Sequence, residues 1–376
     1  MNEKAVDAGL ITERRHASLH AAVKVIADDP QLLSLMIADA NRSGPLWSPT
    51  AYWRGYAARI VRELDRNGLA EMRTNQTLLK GFASGGMPRP ELPASPWKRL
   101  AWSALERLPG VCQILAEHNR ILAAEYRRHN ETRRQHARMA MDEIARAFPA
   151  LRPPSGLANG GADDAFDWRS HTLVPAFVMY LSRAADFYQK VPPQEVGSIL
   201  EIGPGLGLSS LAHMTLNPTL RVVVNVDIVP VLYLSTQFLK SIEGVDVVDY
   251  RALRERERII PEAPAGGVRV YQLAAWQLPN LEGRLDFFFN AFSFQEMESE
   301  VCRNYAAHAL RLVERGTLLL SMAAGHKPSA GGQSEPVTLA FLESLFRGNF
   351  PNVARLDGFW PRLFGGDTGS TRLMTR

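Results

Sequence analysis

Cysteine is nearly absent from this chain: 376 residues hold two, Cys112 and Cys302. They lie far apart, in stretches of helical pattern, which excludes a disulfide framework and fits a reducing cytoplasm. Cys-x-x-Cys spacing is missing, so no zinc site is indicated. A carboxylate-held Mg2+ has ligands of no fixed spacing and is left open, the metal being unknown at this level. No apolar run approaches the roughly 18 residues of a membrane helix. In the first 30 residues, Glu13, Arg14, Arg15 and His16 interrupt any secretory core. Charge of one sign is scarce too: 43 Lys and Arg face 39 Asp and Glu, a net +4 that does not demand nucleic acid. The stretch Tyr126 to Arg138 holds Arg127, Arg128, Arg133, Arg134 and Arg138, but only Tyr126 suits base stacking. It reads as a solvated helix face, a phosphate-binding patch being the alternative.

What is present divides into a helical front and an α/β back. Residues 1–150 carry helical periodicity and almost no strand signal. One segment runs from Ile11 to Ala40, broken near Asp28-Asp29-Pro30. A second follows Ser48-Pro49, with Tyr52, Tyr56, Ile60 and Leu64 on one face, and ends near Gly68. A long pattern runs from Trp97 towards Phe148. Residues 151–165 are rich in Pro and Gly and read as a linker. Helix returns from His171 to Lys190. Residues 166–376 form the second domain, in which apolar runs alternate with helical patterns and imply a Rossmann-like, doubly wound α/β sheet. The segment Asp246 to Gly267 is an insertion without a clear place. The helical front is expected to cover a substrate mouth or to build a homodimer interface.

The most informative run is Ile199 to Gly207, Ile-Leu-Glu-Ile-Gly-Pro-Gly-Leu-Gly. An apolar strand, Val196 to Ile202, leads into glycines at 203, 205 and 207, and a helical pattern starts at Leu208. Strand, Gly-rich turn and helix in that order make the first unit of a nucleotide-type site. The dinucleotide pattern G-x-G-x-x-G fails, because counting from Gly203 its last position is Leu208. What fits is acid-x-Gly-x-Gly-x-Gly: Glu201, Gly203, Gly205, Gly207. A second apolar run, Arg221 to Asp227, ends in an acid about 20 residues after the last glycine, where a ribose would need an acceptor of two hydroxyls.

This turn resembles motif I of class I S-adenosylmethionine-dependent methyltransferases. A carboxylate beside the turn suits a ligand that brings an ammonium and a sulfonium. The block from Asp286 to Met297, Asp-Phe-Phe-Phe-Asn-Ala-Phe-Ser-Phe-Gln-Glu-Met, resembles a bacterial family of sugar O-methyltransferases. So do the Tyr52-Trp53 helix with Gly68-Leu69 and Met72-Arg73, and the second strand with Asp227. The resemblance implies a methyltransferase sheet, S-adenosylmethionine as cofactor, and a small, glycosidic acceptor methylated on a hydroxyl. Acceptors methylated on nitrogen or carboxylate, and a non-catalytic binding protein on the same fold, are the alternatives. Neither nucleic acid nor a membrane is expected as partner.

Cofactor contacts are expected from Glu201, Gly203, Gly205, Gly207, Asp227, Ile228 and Asn290. Many methyltransferases place an acid after the third strand; here Ala274, Ala275 and Trp276 stand there, so Trp276 would stack on adenine or simply pack. Methyl transfer to a hydroxyl gains from a base past a strand's carboxyl end. Glu296 follows the fourth strand and His326 the fifth, beside Lys327, and both are candidate catalytic groups. His171 is a distant third. Glu296 also fits a metal ligand or a helix-start acid.

Overall fold

A computed structural model of the chain describes residues 22–41, 43–69, 72, 111–159, 162, 164–313, 316–322, 337–356 and 370–376. A small hairpin, β1 (Phe166–Trp168) with β2 (His171–Leu173), precedes the main sheet. The sheet then comprises β3 (Ser198–Ile202), β4 (Val222–Asp227), β5 (Val245–Val248), β6 (Val268–Ala274), β7 (Phe287–Ala291), β8 (Thr317–Met322), β9 (Asn352–Leu356) and β10 (Ser370–Thr375). Their spatial order is β5-β6-β4-β3-β7-β8-β10-β9. Pairing is parallel from β5 through β8, while β10 runs antiparallel between β8 and β9. From β3 the chain winds outward through β4 to one side and later through β7 and β8 to the other. The switch point therefore lies between β3 and β7, and open α/β sheets bind ligands at that place. The fold is the expected Rossmann-like, doubly wound α/β sheet.

Nine helices are formed by the described residues. They are α1 (Pro30–Ala40), α2 (Ala51–Asn67), α3 (Val111–Ala147), α4 (Pro175–Tyr188), α5 (Leu208–Leu216), α6 (Val231–Lys240), α7 (Tyr250–Leu253), α8 (Ser299–Leu312) and α9 (Leu339–Phe346). Alternation along the strands divides the core into two. Ile199, Phe287 and Phe289 face one layer; Leu200 and Phe288 face the other. The first layer is continuous with the N-terminal helices: Leu32, Met36, Ile60, Met141 and Ile144 share it with Phe177, Leu181 and Phe238. No helix among the described residues is long and apolar enough to cross a membrane.

Polar contacts fasten α1 to the sheet domain. Asp29 caps α1 by accepting from the Leu32 amide at 3.1 Å, and it takes both arms of Arg251 at 2.6 and 2.7 Å. Asp39 takes Arg254 at 2.5 and 3.0 Å and the Tyr250 hydroxyl at 2.8 Å. Tyr233 donates to Asp28.

Several local expectations are corrected. Residues 22–29 form no helix; Ala22 bridges Ser155 and Val23 bridges Ile242. The helix expected from His171 starts at Pro175, because His171–Leu173 pairs in the hairpin. Part of the unplaced insertion is edge strand β5 and short helix α7. Within 151–165, the described residues Leu151, Pro153, Pro154 and Leu157 are buried, Leu151 and Leu157 in the core. The arginine row is not a solvated stripe throughout. Arg133 pairs with buried Asp164 at 3.6 Å, Arg134 donates to the Asp164 carbonyl at 3.3 Å, and Arg138 donates to the Asp167 carbonyl at 3.4 Å. Arg138 thus holds the hairpin, and Arg133 and Arg134 hold Asp164 just before it.

Candidate active site

Beyond Ile202 the backbone takes positive φ at Gly203, Gly205 and Gly207 (72°, 58° and 89°) on its way into α5. At Gly203 the requirement is double, because a Cβ there would also run into the Ser293 side chain arriving from β7. The turn is tied to β4: the Gly203 amide donates to the Val226 carbonyl at 2.8 Å. The Gly205 amide donates to Asp227 Oδ2 at 3.2 Å, and the Ile228 amide to Oδ1 at 2.7 Å. Each carboxylate oxygen thus keeps a lone pair for a ligand. Burial pushes the Asp227 carboxyl up to about 8; the two amides oppose this, while Glu201 and Glu296 add to it.

The turn and Asp227 form one side of a cavity of 310 Å³ at the carboxyl edge of the sheet, at the switch point. Ala291, Phe292 and Ser293 bring in the end of β7, and Val301 and Tyr305 bring in α8. The opposite wall comes from the N-terminal part of the chain: Thr50, Tyr52, Trp53 and Tyr56. These aromatic rings pack on one another with centroids 5.3 to 5.8 Å apart. Their helix is sewn to the segment after β7. Trp53 Nε1 donates to Glu296 Oε2 at 2.9 Å, Thr50 Oγ1 donates to the Glu296 carbonyl at 2.9 Å, and the Ala51 amide donates to Glu298 Oε1 at 3.0 Å. Phe292 lines the cavity with φ of 68°, a conformation costly for a bulky residue, and its ring lies 4.4 Å from the Arg183 guanidinium. Tyr180 reaches the cavity from α4, its hydroxyl pushed up to about 12 by burial.

The structure brings Gly203, Gly205, Asp227, Ile228 and Glu296 to this cavity. The other expected contacts take different places. Glu201 lies beneath α5, accepting from Ser209 Oγ and, at 3.1 Å, from Ser210 Oγ; burial pushes its carboxyl up to about 7. Gly207 starts α5, where a Cβ would meet Leu239. Asn290 is a buried brace: Nδ2 donates to the Ile202 carbonyl at 2.8 Å and to Ser293 Oγ at 2.6 Å, and Oδ1 accepts from the Phe294 amide at 3.3 Å. Trp276 packs edge-on to Tyr250, with centroids 5.9 Å apart, and is not part of the cavity wall. His171 sits on β2 beside Trp168. His326 and Lys327 lie outside the described residues. Among the described residues no three His, Cys, Asp or Glu side chains converge to hold a metal ion. The expectation missed Trp53, Tyr180 and Phe292. Only the Tyr52-Trp53 pair gave a signal, as part of the family resemblance, and neither residue was read as a site residue.

No protein-family model and no curated protein matches the chain. Solved structures similar to it include magnesium protoporphyrin IX methyltransferase from Synechocystis PCC 6803 with bound SAH. That match has 13% identity, covers 53% of this chain and 82% of the other, and has a TM-score of 0.33. Aeropyrum pernix fibrillarin with natively bound S-adenosyl-L-methionine matches at 16% identity over 56% and 81% of the two chains, with a TM-score of 0.32. The apo form of the S-adenosylmethionine-dependent methyltransferase SibL matches at 14% identity over 86% and 74%, with a TM-score of 0.34. Likenesses this distant leave the activity to be argued from the cavity itself.

Proposed function

We propose that the chain is an S-adenosylmethionine-dependent methyltransferase acting on a hydroxyl of a small, sugar-like acceptor. The observation that carries this reading is Asp227. It ends the strand next to the Gly-rich turn, is fixed by two backbone amides, and presents free acceptor lone pairs to a cavity at the switch point. A carboxylate so placed accepts two vicinal ribose hydroxyls, and Gly203 and Gly205, which line the cavity without a side chain, allow a close approach beside it. The donor set fits a nucleoside bearing a cationic tail.

S-adenosylmethionine, when bound, supplies a methyl group activated on a sulfonium. The protein's own part is alignment, exclusion of water and proton transfer. Asp227, Gly203 and Gly205 would hold the cofactor, which would supply the methyl carbon to the acceptor oxygen and leave as the neutral thioether, its sulfur keeping the electron pair of the broken bond. The hydroxyl proton passes to Glu296, which lines the cavity and whose Oε2 accepts from Trp53 Nε1 at 2.9 Å. The wall of Tyr52, Trp53 and Tyr56 offers flat faces on which a ring-shaped acceptor can stack. The sugar-like acceptor rests on the sequence resemblance, and the aromatic wall is compatible with it. The test is product analysis with isotopically labelled cofactor and a host-cell extract. A labelled O-methyl ether supports the reading; label on nitrogen or carbon overturns the acceptor assignment.

A further inference from the structure

The cavity has an apolar part with one hydroxyl in it. Ile202, Val226, Ile228, Met297, Val301 and Tyr305 line the cavity and belong to, or pack against, the second core layer. Tyr305 brings the only side-chain oxygen among these residues. Val301 and Tyr305 stand one turn apart on α8 and share a face. Tyr305 is 3% exposed, and the Trp47 ring packs edge-on against it with centroids 5.5 Å apart. Its hydroxyl has no hydrogen-bond partner among the described residues, and a hydroxyl taken from water in this way costs free energy until a partner completes it. Burial pushes this hydroxyl upward and the Asp227 carboxylate adds to that, so the oxygen keeps its proton. Other hydroxyls of the cavity are spent: Ser48, Thr50 and Ser293 donate to backbone carbonyls. The end of β6, where an acid was looked for, offers no free polar side chain. Ala274 and Ala275 are fully buried, Trp276 packs on Tyr250, and Gln277 uses its amide on the Ala274 N–H and the Leu253 carbonyl, both at 2.9 Å.

We propose that Tyr305 reads the base of the bound nucleoside, its hydroxyl hydrogen-bonding to the edge of the base while Ile228 and Val301 cover the apolar faces. This rests on the reading that Asp227 holds the ribose. The base is bonded to the ribose carbon next to one of the hydroxyls that Asp227 accepts, so it lies within a ring's width of that carboxylate. Ile228 follows Asp227 directly in the chain and begins the apolar part of the cavity. A heteroaromatic ring has apolar faces and a polar edge, and this part of the cavity offers apolar walls and one polar atom. A phenol both donates and accepts, so it can give its proton to a ring nitrogen and take one from an exocyclic amino group. The role that an acid after β6 would have filled thus passes to a helix on the other side of Asp227.

The test is calorimetric binding, to the full chain, of S-adenosylhomocysteine and of counterparts that each lack one edge group of the base: the amino group, or a single ring nitrogen replaced by C–H. Tyr305→Phe, which keeps the ring and removes the oxygen, should weaken S-adenosylhomocysteine by about 5- to 30-fold. In the wild type at least one counterpart should be weakened to a similar extent, and for that counterpart Tyr305→Phe should cost nothing further, the non-additivity expected of two groups that touch. Val301→Phe, which narrows the same part of the cavity and leaves the hydroxyl in place, should weaken S-adenosylhomocysteine by on the order of ten-fold and leave S-ribosylhomocysteine, which has no base, unchanged. Thermal unfolding shows that each variant is folded, and the two variants address the base from different sides. Wild-type affinity in Tyr305→Phe, or an equal loss for S-adenosylhomocysteine and every counterpart, would overturn Tyr305 as the reader of the base while leaving the cofactor reading in place. Equal loss of both ligands in Val301→Phe would overturn the placing of the base beside α8. Failure of the wild type to bind S-adenosylhomocysteine at all would overturn the cofactor reading as well.

Discussion

Asp227 should couple cofactor binding to pH. In the free protein, burial holds its carboxyl up to about 8, whereas a ligand that donates two hydroxyls requires the ionised form. The sign follows from that difference. Below pH 8 the free protein carries a proton that binding must release, so affinity rises with pH and levels off above about 8. At pH 7 the cost of ionising Asp227 is about 1.4 kcal/mol, and at pH 6 about 2.7 kcal/mol, or roughly ten-fold in affinity per pH unit. Titration calorimetry between pH 5.5 and 7.5, in buffers of different ionisation enthalpy, should report the release of nearly one proton. Asp227→Asn should flatten the profile. It should also weaken binding by about 1 to 3 kcal/mol, because its amide must face the N–H of Gly205 or of Ile228. In Glu296→Gln the break should move to lower pH, since one of the charges raising Asp227 is gone. A wild-type profile that is flat across this range would refute the assignment of Asp227 as the ribose acceptor.

Gly203→Ala should lower stability by about 2 to 4 kcal/mol, as both its φ of 72° and the approach of Ser293 oppose a Cβ; thermal melts of the two proteins check this. Met141→Ala, on a fully buried position of α3, should cost about 2 to 5 kcal/mol in denaturant unfolding if the N-terminal helices share the sheet's core; a surface-like value would contradict that. The Arg251 hydrogen bonds draw the Asp29 carboxyl down to about 2 from its usual 3.8, so its contribution is fully present above about pH 4 and is lost as pH falls towards 2. Arg251→Ala should remove on the order of 1 kcal/mol, after allowance for solvent screening, and reduce the acid sensitivity of folding between those pH values.

The sequence was most readable where backbone and chemistry coincide. Glycines alternating after an apolar run specify the turn after β3, and an acid ending the next run locates Asp227. The buried parallel strands follow from continuous runs of Val, Ile, Leu and Phe. Side-chain direction was less readable. Glu201 and Asn290 sit at strand ends, as a ligand-binding residue would, but Glu201 is drawn under α5 by two serines and Asn290 braces the β3 and β7 ends. Nothing local to either residue states which neighbour it will meet. The hairpin at 166–173 was hidden because strands of three residues carry too little periodicity to compete with the helical run that follows. The far wall of the cavity was hidden for another reason. Tyr52 and Tyr56 occupy the same helical stripe as Ile60 and Leu64, and only the tertiary fold separates the turn that faces the cavity from the turn that faces the core.

The central claim is that this cavity binds S-adenosylmethionine through Asp227. Its most direct test is a calorimetric titration of the wild-type chain with S-adenosylmethionine and, separately, with NADH. Binding of S-adenosylmethionine in the micromolar range, about −8 kcal/mol, weakened in Asp227→Ala and with no comparable affinity for NADH, is the predicted result. Binding of NADH without S-adenosylmethionine, or S-adenosylmethionine affinity unaffected by Asp227→Ala, would contradict it.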